Sequence, residues 1–164
     1  MRRLGTISLL GLLPLGVAGC GGDEVDRAEV DGVEQQAVDA VDGVLHDLSE
    51  RTRAEFVSGN RFFSVCGAGY DPRGVVMRSH LQLGSPAELP SDDAADLAGT
   101  LLEDDGWTVE RWKQAAVVEG AKGELNLRIE FDALTVVSIH TDCIETSDGV
   151  AEEYSGRDVE VRWK

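Results

Sequence analysis

The sequence predicts an α+β fold in which two helices pack on one face of an antiparallel sheet of about four to five strands. Two observations carry that expectation. Apolar residues recur every three or four positions in two separate stretches, which is helical spacing, and every second position in several others, which is strand spacing. The later strands follow one another as a meander divided by short Gly- and Asp-containing turns.

The first helical stretch places Val33, Ala37, Ala40, Val41, Val44, Leu45 and Leu48 on one side and Glu34, Gln35, Asp39, Asp42, Asp47 and Glu50 on the other. This predicts a helix over 31–53 with a core-facing stripe. A helix lying in a membrane surface would carry basic residues on its polar side, and here that side is mostly acidic. Arg61 to Cys66 is aromatic and β-branched and predicts a short buried strand ending at Gly67-Ala68-Gly69. Asp71-Pro72-Arg73-Gly74 reads as a turn. Val75, Met77, Leu81 and Leu83 then alternate with Val76, Arg78, His80 and Gln82, as in a strand with one buried face.

The second helix is expected to start at Ser91, whose hydroxyl would cap it, with Asp92 and Asp93 complementing the positive end of the helix dipole. Ala94, Ala95, Leu97, Ala98, Leu101 and Leu102 form its stripe, and Gly106 suits a left-handed terminator after about Asp105. Asp92, Asp93 and Asp96 lack the spacing of a calcium loop. Trp107 to Trp112 opens the meander, and Gly120-Ala121-Lys122-Gly123 reads as a turn. Leu125, Leu127, Ile129 and Phe131 alternate with Asn126, Arg128, Glu130 and Asp132, the clearest strand pattern in the chain. Leu134 to Cys143 is the next strand, and 145–164 reads as an exposed acidic tail in which 158–163 regains strand character at an edge.

The amino terminus has the layout of a signal peptide. Arg2 and Arg3 precede an apolar stretch from Leu4 to Val17, too short for a comfortable permanent span of roughly 20 residues. Pro14 and Gly16 break it just before Val17-Ala18-Gly19-Cys20, a motif that resembles the lipobox of bacterial lipoproteins. That resemblance implies cleavage before Cys20, acylation of its thiol, and attachment to the extracytoplasmic face of the cell membrane. Residues 1–19 would then be the leader, 20–30 a flexible solvated tether, 31–144 the α+β domain and 145–164 the tail. The general secretory and twin-arginine export routes both remain open.

Lipidation of Cys20 would also settle the cysteine count. It leaves Cys66 and Cys143 as a pair, so the resemblance implies one disulfide in an oxidising compartment. The order of helix, Cys-bearing strand, second helix and meander, with Leu102-Glu103-Asp104-Asp105-Gly106-Trp107 matching an L-x-x-x-G-W element, resembles small lipoproteins of high-GC actinobacteria over roughly residues 20–144. The resemblance implies fold and location; it brings no catalytic residue.

Charge limits the partners. The chain holds 15 Lys plus Arg against 31 Asp plus Glu, and loss of Arg2 and Arg3 with the leader takes the net charge from −16 to −18. Nucleic acid and anionic lipid headgroups are repelled, so the expected membrane attachment runs through covalent lipid alone. Two or three acyl chains suffice, at about 0.8 kcal/mol per buried CH₂.

Ser64, His140 and Asp142 supply the residue types of a hydrolytic triad, yet the chain has no G-x-S-x-G elbow, P-loop, GxGxxG or HExxH. Cys/His spacing for a metal is likewise missing, and no cofactor is expected. Two helices on one face would leave the other face of the sheet uncovered, with Arg78 and Arg128 beside Trp107 or Trp112 as a candidate binding surface. The expected role is a non-catalytic module for an envelope protein or a small ligand, with a cell-envelope hydrolase as the alternative.

Overall fold

The computed structural model describes residues 22–68, 71–87, 89–112 and 115–163. Cys20 and the rest of the leader motif lie outside them. Helix α1 (Gly22–Ala40) continues through a π-helical segment at Val41–Leu45 into α2 (His46–Thr52), forming one rod that ends at Arg53 in the left-handed conformation (φ 55°). The strands are β1 (Phe56–Ala68), β2 (Asp71–Leu83), β3 (Thr108–Trp112), β4 (Val117–Lys122), β5 (Leu125–Phe131), β6 (Thr135–Thr141), β7 (Ile144–Glu145) and β8 (Asp158–Glu160). Helix α3 (Ser91–Asp104) lies between β2 and β3, and α4 (Asp148–Tyr154) between β7 and β8.

The strands form one antiparallel sheet in the order β3-β4-β5-β6-β2-β1-β8, with β7 paired to β2 beyond the end of β6. Helix α3 lies against β3, β4 and β5, while α4 lies against β1 and β2, and α1 fits between them. The expected α+β class and antiparallel sheet are present. The sheet has eight strands rather than four to five, and α4 joins the two expected helices on the covered face, counted among the described residues.

The core is built by strict alternation. Leu125, Leu127, Ile129 and Phe131 of β5 face Val137 and Ile139 of β6 and Val75, Met77 and Leu81 of β2 on the helix side of the sheet. Val33, Ala37, Val41, Val44, Leu45 and Leu48 of the rod cover them, as the three- and four-residue spacing requires. Glu34 and Arg61 are the charged pair buried in this layer. Arg61 places Nε and Nη2 each 2.9 Å from Glu34 Oε1, and Arg157 Nη2 reaches Glu34 Oε2 at 2.9 Å. A buried carboxylate is tolerable only with such pairing.

Several local expectations are corrected by tertiary contacts. Residues 20–30 were expected to be a flexible tether, but the chain is helical from Gly22. Asp26 accepts the Ser147 N–H at 2.7 Å, Arg27 pairs with Glu153 at 2.8 Å, and Val30 is fully buried. These contacts stabilise a charged segment that has no apolar stripe to announce it. The rod thus spans 22–52 in place of the expected 31–53. The expected tail at 145–164 is packed structure: Val150, Ala151, Tyr154 and Val161 are buried, and Trp163 stacks on Phe56 with ring centroids 5.1 Å apart. Only its edge strand, β8, follows the expectation, over a shorter span.

Asp71 to Gly74 was expected to be a turn and instead begins β2, because β1 and β2 pair as far as Ala68 and Asp71. Gly120-Ala121-Lys122-Gly123 reads as a turn by composition, but its first three residues are the second half of β4 and only Gly123 belongs to the turn. There Gly120 serves packing: a Cβ would stand 3.2 Å from the Trp107 ring. The actual turn between β4 and β5 is Gly123-Glu124, with Gly123 at φ 59° and Lys122 paired to Leu125. Ser91 is the first residue of α3 and not its cap; Pro90 occupies the cap position without a side-chain hydrogen bond. Gly106 does take the left-handed conformation, at φ 86°.

Candidate functional site

Among the described residues the helices lie on one side of the sheet, so the alternate residues of β1 to β6 look outward from the other side. The register aligns them into rows across the strands. One row runs Glu110, Glu119, Arg128, Ser138, His80, Asn60 and Glu160. The next runs Thr108, Ala121, Asn126, His140, Arg78, Phe62 and Asp158. Ala121 is the smallest side chain in either row. Over it lies a depression of about 600 Å³, lined by Thr108, Glu110, Glu119, Asn126, Arg128 and His140 with the backbone around Gly120 and Leu127 beneath. That size falls in the range of small-molecule sites.

One wall of the depression is a connected polar network. Arg128 pairs with Glu119 through Nη1 and with Glu130 through Nε, the latter at 2.6 Å, and Trp112 donates its indole N–H to Glu119 Oε2 at 3.3 Å. Glu130 first, and Glu119 second, hold the Arg128 guanidinium more firmly protonated than an isolated one. Exposed pairs of this kind contribute little to stability, about 0–1 kcal/mol each. Their effect is geometric. The charge of Arg128 is balanced by two carboxylates, and Trp112, with 51% of its surface exposed, is pinned beside them.

The rest of the rim differs. Thr108, Glu110, Asn126, His140 and Arg78 have no side-chain hydrogen bond or ion pair among the described residues. His80 is held by Ser138, with Nδ1 3.2 Å from Oγ, and its ring lies 5.9 Å from that of Phe62. The face therefore combines a preorganised wall with a set of uncommitted donors and acceptors.

Of the residues singled out from sequence, Arg78, Trp112 and Arg128 lie on this face. Trp107 does not. It is 4% exposed, faces α3, donates its indole N–H to Asp105 at 3.0 Å, and is covered by Lys122 with Nζ 5.9 Å from its ring centroid. Its parity agrees with this: Trp107 shares the helix side with Val109 and Arg111, whereas Thr108, Glu110 and Trp112 alternate onto the other face. Cys66 and Cys143 are bonded, with Cα atoms 5.9 Å apart. Ser64 lies opposite Val76 on β1, whereas His140 lies opposite Arg78 on β6, with β2 between the two strands. Two strand intervals amount to about 10 Å, so Ser64 and His140 do not form a nucleophile-base pair.

Sequence reasoning placed His80, Asn126 and Glu130 on the outward face but missed the depression. Its signal was Ala121, the small residue of a segment with turn-like composition. Arg111 lies outside the site and grips α3: its guanidinium passes over Gly99, where a Cβ would collide with it, and pairs with both Glu103 oxygens at 2.7 and 2.9 Å. That hydrogen bond holds the Glu103 carboxyl below its usual range.

Among the described residues no helix is long and apolar enough to cross a membrane, and no group of His, Cys, Asp and Glu is placed to hold a metal ion. No protein-family model, curated protein or solved structure matches this chain.

Proposed function

We propose that the chain is a lipoprotein of the bacterial cell envelope, anchored through Cys20, and that it acts as a non-catalytic binding module whose working surface is the uncovered face of the sheet. The observation that carries the binding role is the depression over Ala121, bordered by the fixed Trp112-Glu119-Arg128 network and by polar side chains with no partner among the described residues. Polar groups without protein partners in a concave site are available to a ligand with no internal bond to break first. The anchor rests on Val17-Ala18-Gly19-Cys20 behind an apolar stretch and two arginines. The Cys66–Cys143 bond supports an oxidising compartment.

Two measurements test the two halves. Metabolic labelling with a fatty-acid analogue is expected to mark the wild type and leave Cys20→Ser unlabelled; label retained by the variant rejects the anchor. For the surface, Ala121→Arg fills the depression from an exposed position. It is expected to abolish capture of the envelope partner or ligand bound by the wild-type full chain, with unfolding unchanged. Capture undiminished by this variant rejects the face.

A further inference from the structure

Arg78 stands out on electrostatic grounds. In a chain with twice as many acidic as basic residues, most described cations sit in ion pairs, and Arg128, on the same face, is held by two carboxylates. Arg78 is exposed at the centre of the sheet and has none among the described residues. Its register neighbours are His140 on β6 and Phe62 on β1, and its outward neighbours along β2 are Val76 and His80. No carboxylate occupies any of these four positions. The guanidinium therefore keeps its planar donor fork open, in the geometry that takes a carboxylate through two parallel hydrogen bonds.

His140 joins this cation to the depression. It lines the cavity itself and is flanked in register by Asn126 on one side and Arg78 on the other. Asn126, Thr108 and His140 all combine donor and acceptor roles, which is what hydroxyl groups require of a partner. At the far end Glu110 has no side-chain partner among the described residues and is suited to accept hydrogen bonds from hydroxyls and to repel a second anion. The site is polarised, cationic toward β2 and anionic toward β3.

We propose that the β2-side end of the depression over Ala121, together with Arg78, binds a small polyhydroxylated carboxylate of the uronic-acid type, with the carboxylate on Arg78 and His140 and the hydroxyls on Asn126 and toward the depression over Ala121. This rests on the sheet-face reading above and adds the ligand class to it. The carboxylate is assigned to Arg78 and not to Arg128 because Glu119 and Glu130 already balance the charge of Arg128.

The test uses the full chain in detergent and isothermal titration with glucuronate, glucose, inorganic phosphate and polygalacturonate. Glucuronate is expected to bind at least tenfold more tightly than glucose, the usual worth of one charge-assisted contact. Arg78→Gln is expected to bring glucuronate down to the glucose level. Arg73→Gln, which removes the same charge from another exposed arginine, is expected to leave binding unchanged. Tighter Arg78-dependent binding of the polymer assigns a polysaccharide source, and tighter binding of the monomer a free acid. Equal binding of glucose and glucuronate, equal losses in the two arginine variants, phosphate binding as tight as glucuronate, or no saturable glucuronate binding overturns the proposal. Should glucuronate fail while Ala121→Arg still abolishes capture of an envelope partner, the ligand class is wrong and the surface stands. Should Ala121→Arg change neither, the surface itself is wrong.

Discussion

Cys66 and Cys143 join β1 to the β6–β7 junction across β2, their Cα atoms 5.9 Å apart and 77 positions apart in sequence. Gly74, the register partner of Cys66, lies at the crossing. Ile144 follows Cys143 and presses its backbone against Gly74 so closely that a Cβ there would run into the Ile144 carbonyl. Replacing both cysteines by serine is expected to cost about 4.5 kcal/mol, the chain-entropy value for a loop of this length. Urea unfolding under identical redox conditions measures it, and a loss below about 1 kcal/mol would show that the bridge does not restrain the unfolded chain.

Gly74→Ala tests the same crossing without touching sulfur. The residue combines φ 152° with backbone on top of it, so the variant is expected to lose about 2–3 kcal/mol. Gly149→Ala, in α4 with open space where the Cβ would go, is the control and is expected to be neutral or mildly stabilising in the same unfolding assay.

Glu34 carries the charge of the buried layer between α1 and β1. Glu34→Ala strands the Arg61 guanidinium, whose side chain is only 10% exposed, and is expected to cost about 3–5 kcal/mol. Arg157 is 42% exposed and reaches water, so Arg157→Ala is expected to cost under about 1 kcal/mol. The double variant Glu34→Leu/Arg61→Met should recover most of the loss by thermal or urea unfolding, because it removes both buried charges. No recovery would mean that the pair is needed for packing specificity and not merely for charge balance.

Tyr154 gives the domain an alkaline limit. Burial, reinforced by its 2.5 Å hydrogen bond to Asp31, raises the phenol pKa to about 12. The folded pKa is raised above the unfolded value near 10, so folded protein holds the proton more tightly and this contribution is complete below about pH 10. It is lost between about pH 10 and 12 and amounts to roughly 2 to 3 kcal/mol. Unfolding free energies at pH 9 and 11.5 should differ by about that amount in wild type and by much less in Tyr154→Phe.

Val150 tests whether the acidic carboxyl-terminal segment belongs to the core. Its side chain is fully buried beneath α4, so Val150→Asp is expected to cost roughly 3 to 5 kcal/mol. Glu152→Ala, two residues away and exposed, is expected to stay within about 0.5 kcal/mol. Equal, small effects from both would place the segment outside the cooperative unit.

The parts legible in the sequence share one property: their apolar spacing repeats over enough residues to declare a face. The β5 pattern from Leu125 to Phe131, the inward set Val75, Met77, Ser79, Leu81 and Leu83, and the α3 stripe all appear in the structure as read. Arg78 and Arg128 followed from the same alternation, because a residue's side of a sheet is determined by parity. What misled was composition. Gly120-Ala121 has turn-like residues but lies in a strand, where the glycine makes room for Trp107 and the alanine opens the depression. Acidic content marked 145–164 as a tail even though Val150, Ala151 and Tyr154 stand at helical spacing within it.

By itself the sequence determined the class of fold, the buried face of each long element and the outward position of the two arginines, since local periodicity alone decides which side of a helix or strand is apolar. Only the tertiary structure decided that Gly22 to Val30 is helical, that α4 packs against β1 and β2, and that Asn126, His140 and Arg78 share one row across three strands. These depend on contacts between residues such as Asp26 and Ser147, 121 positions apart, and on strand register, and neither leaves a periodic mark in the chain.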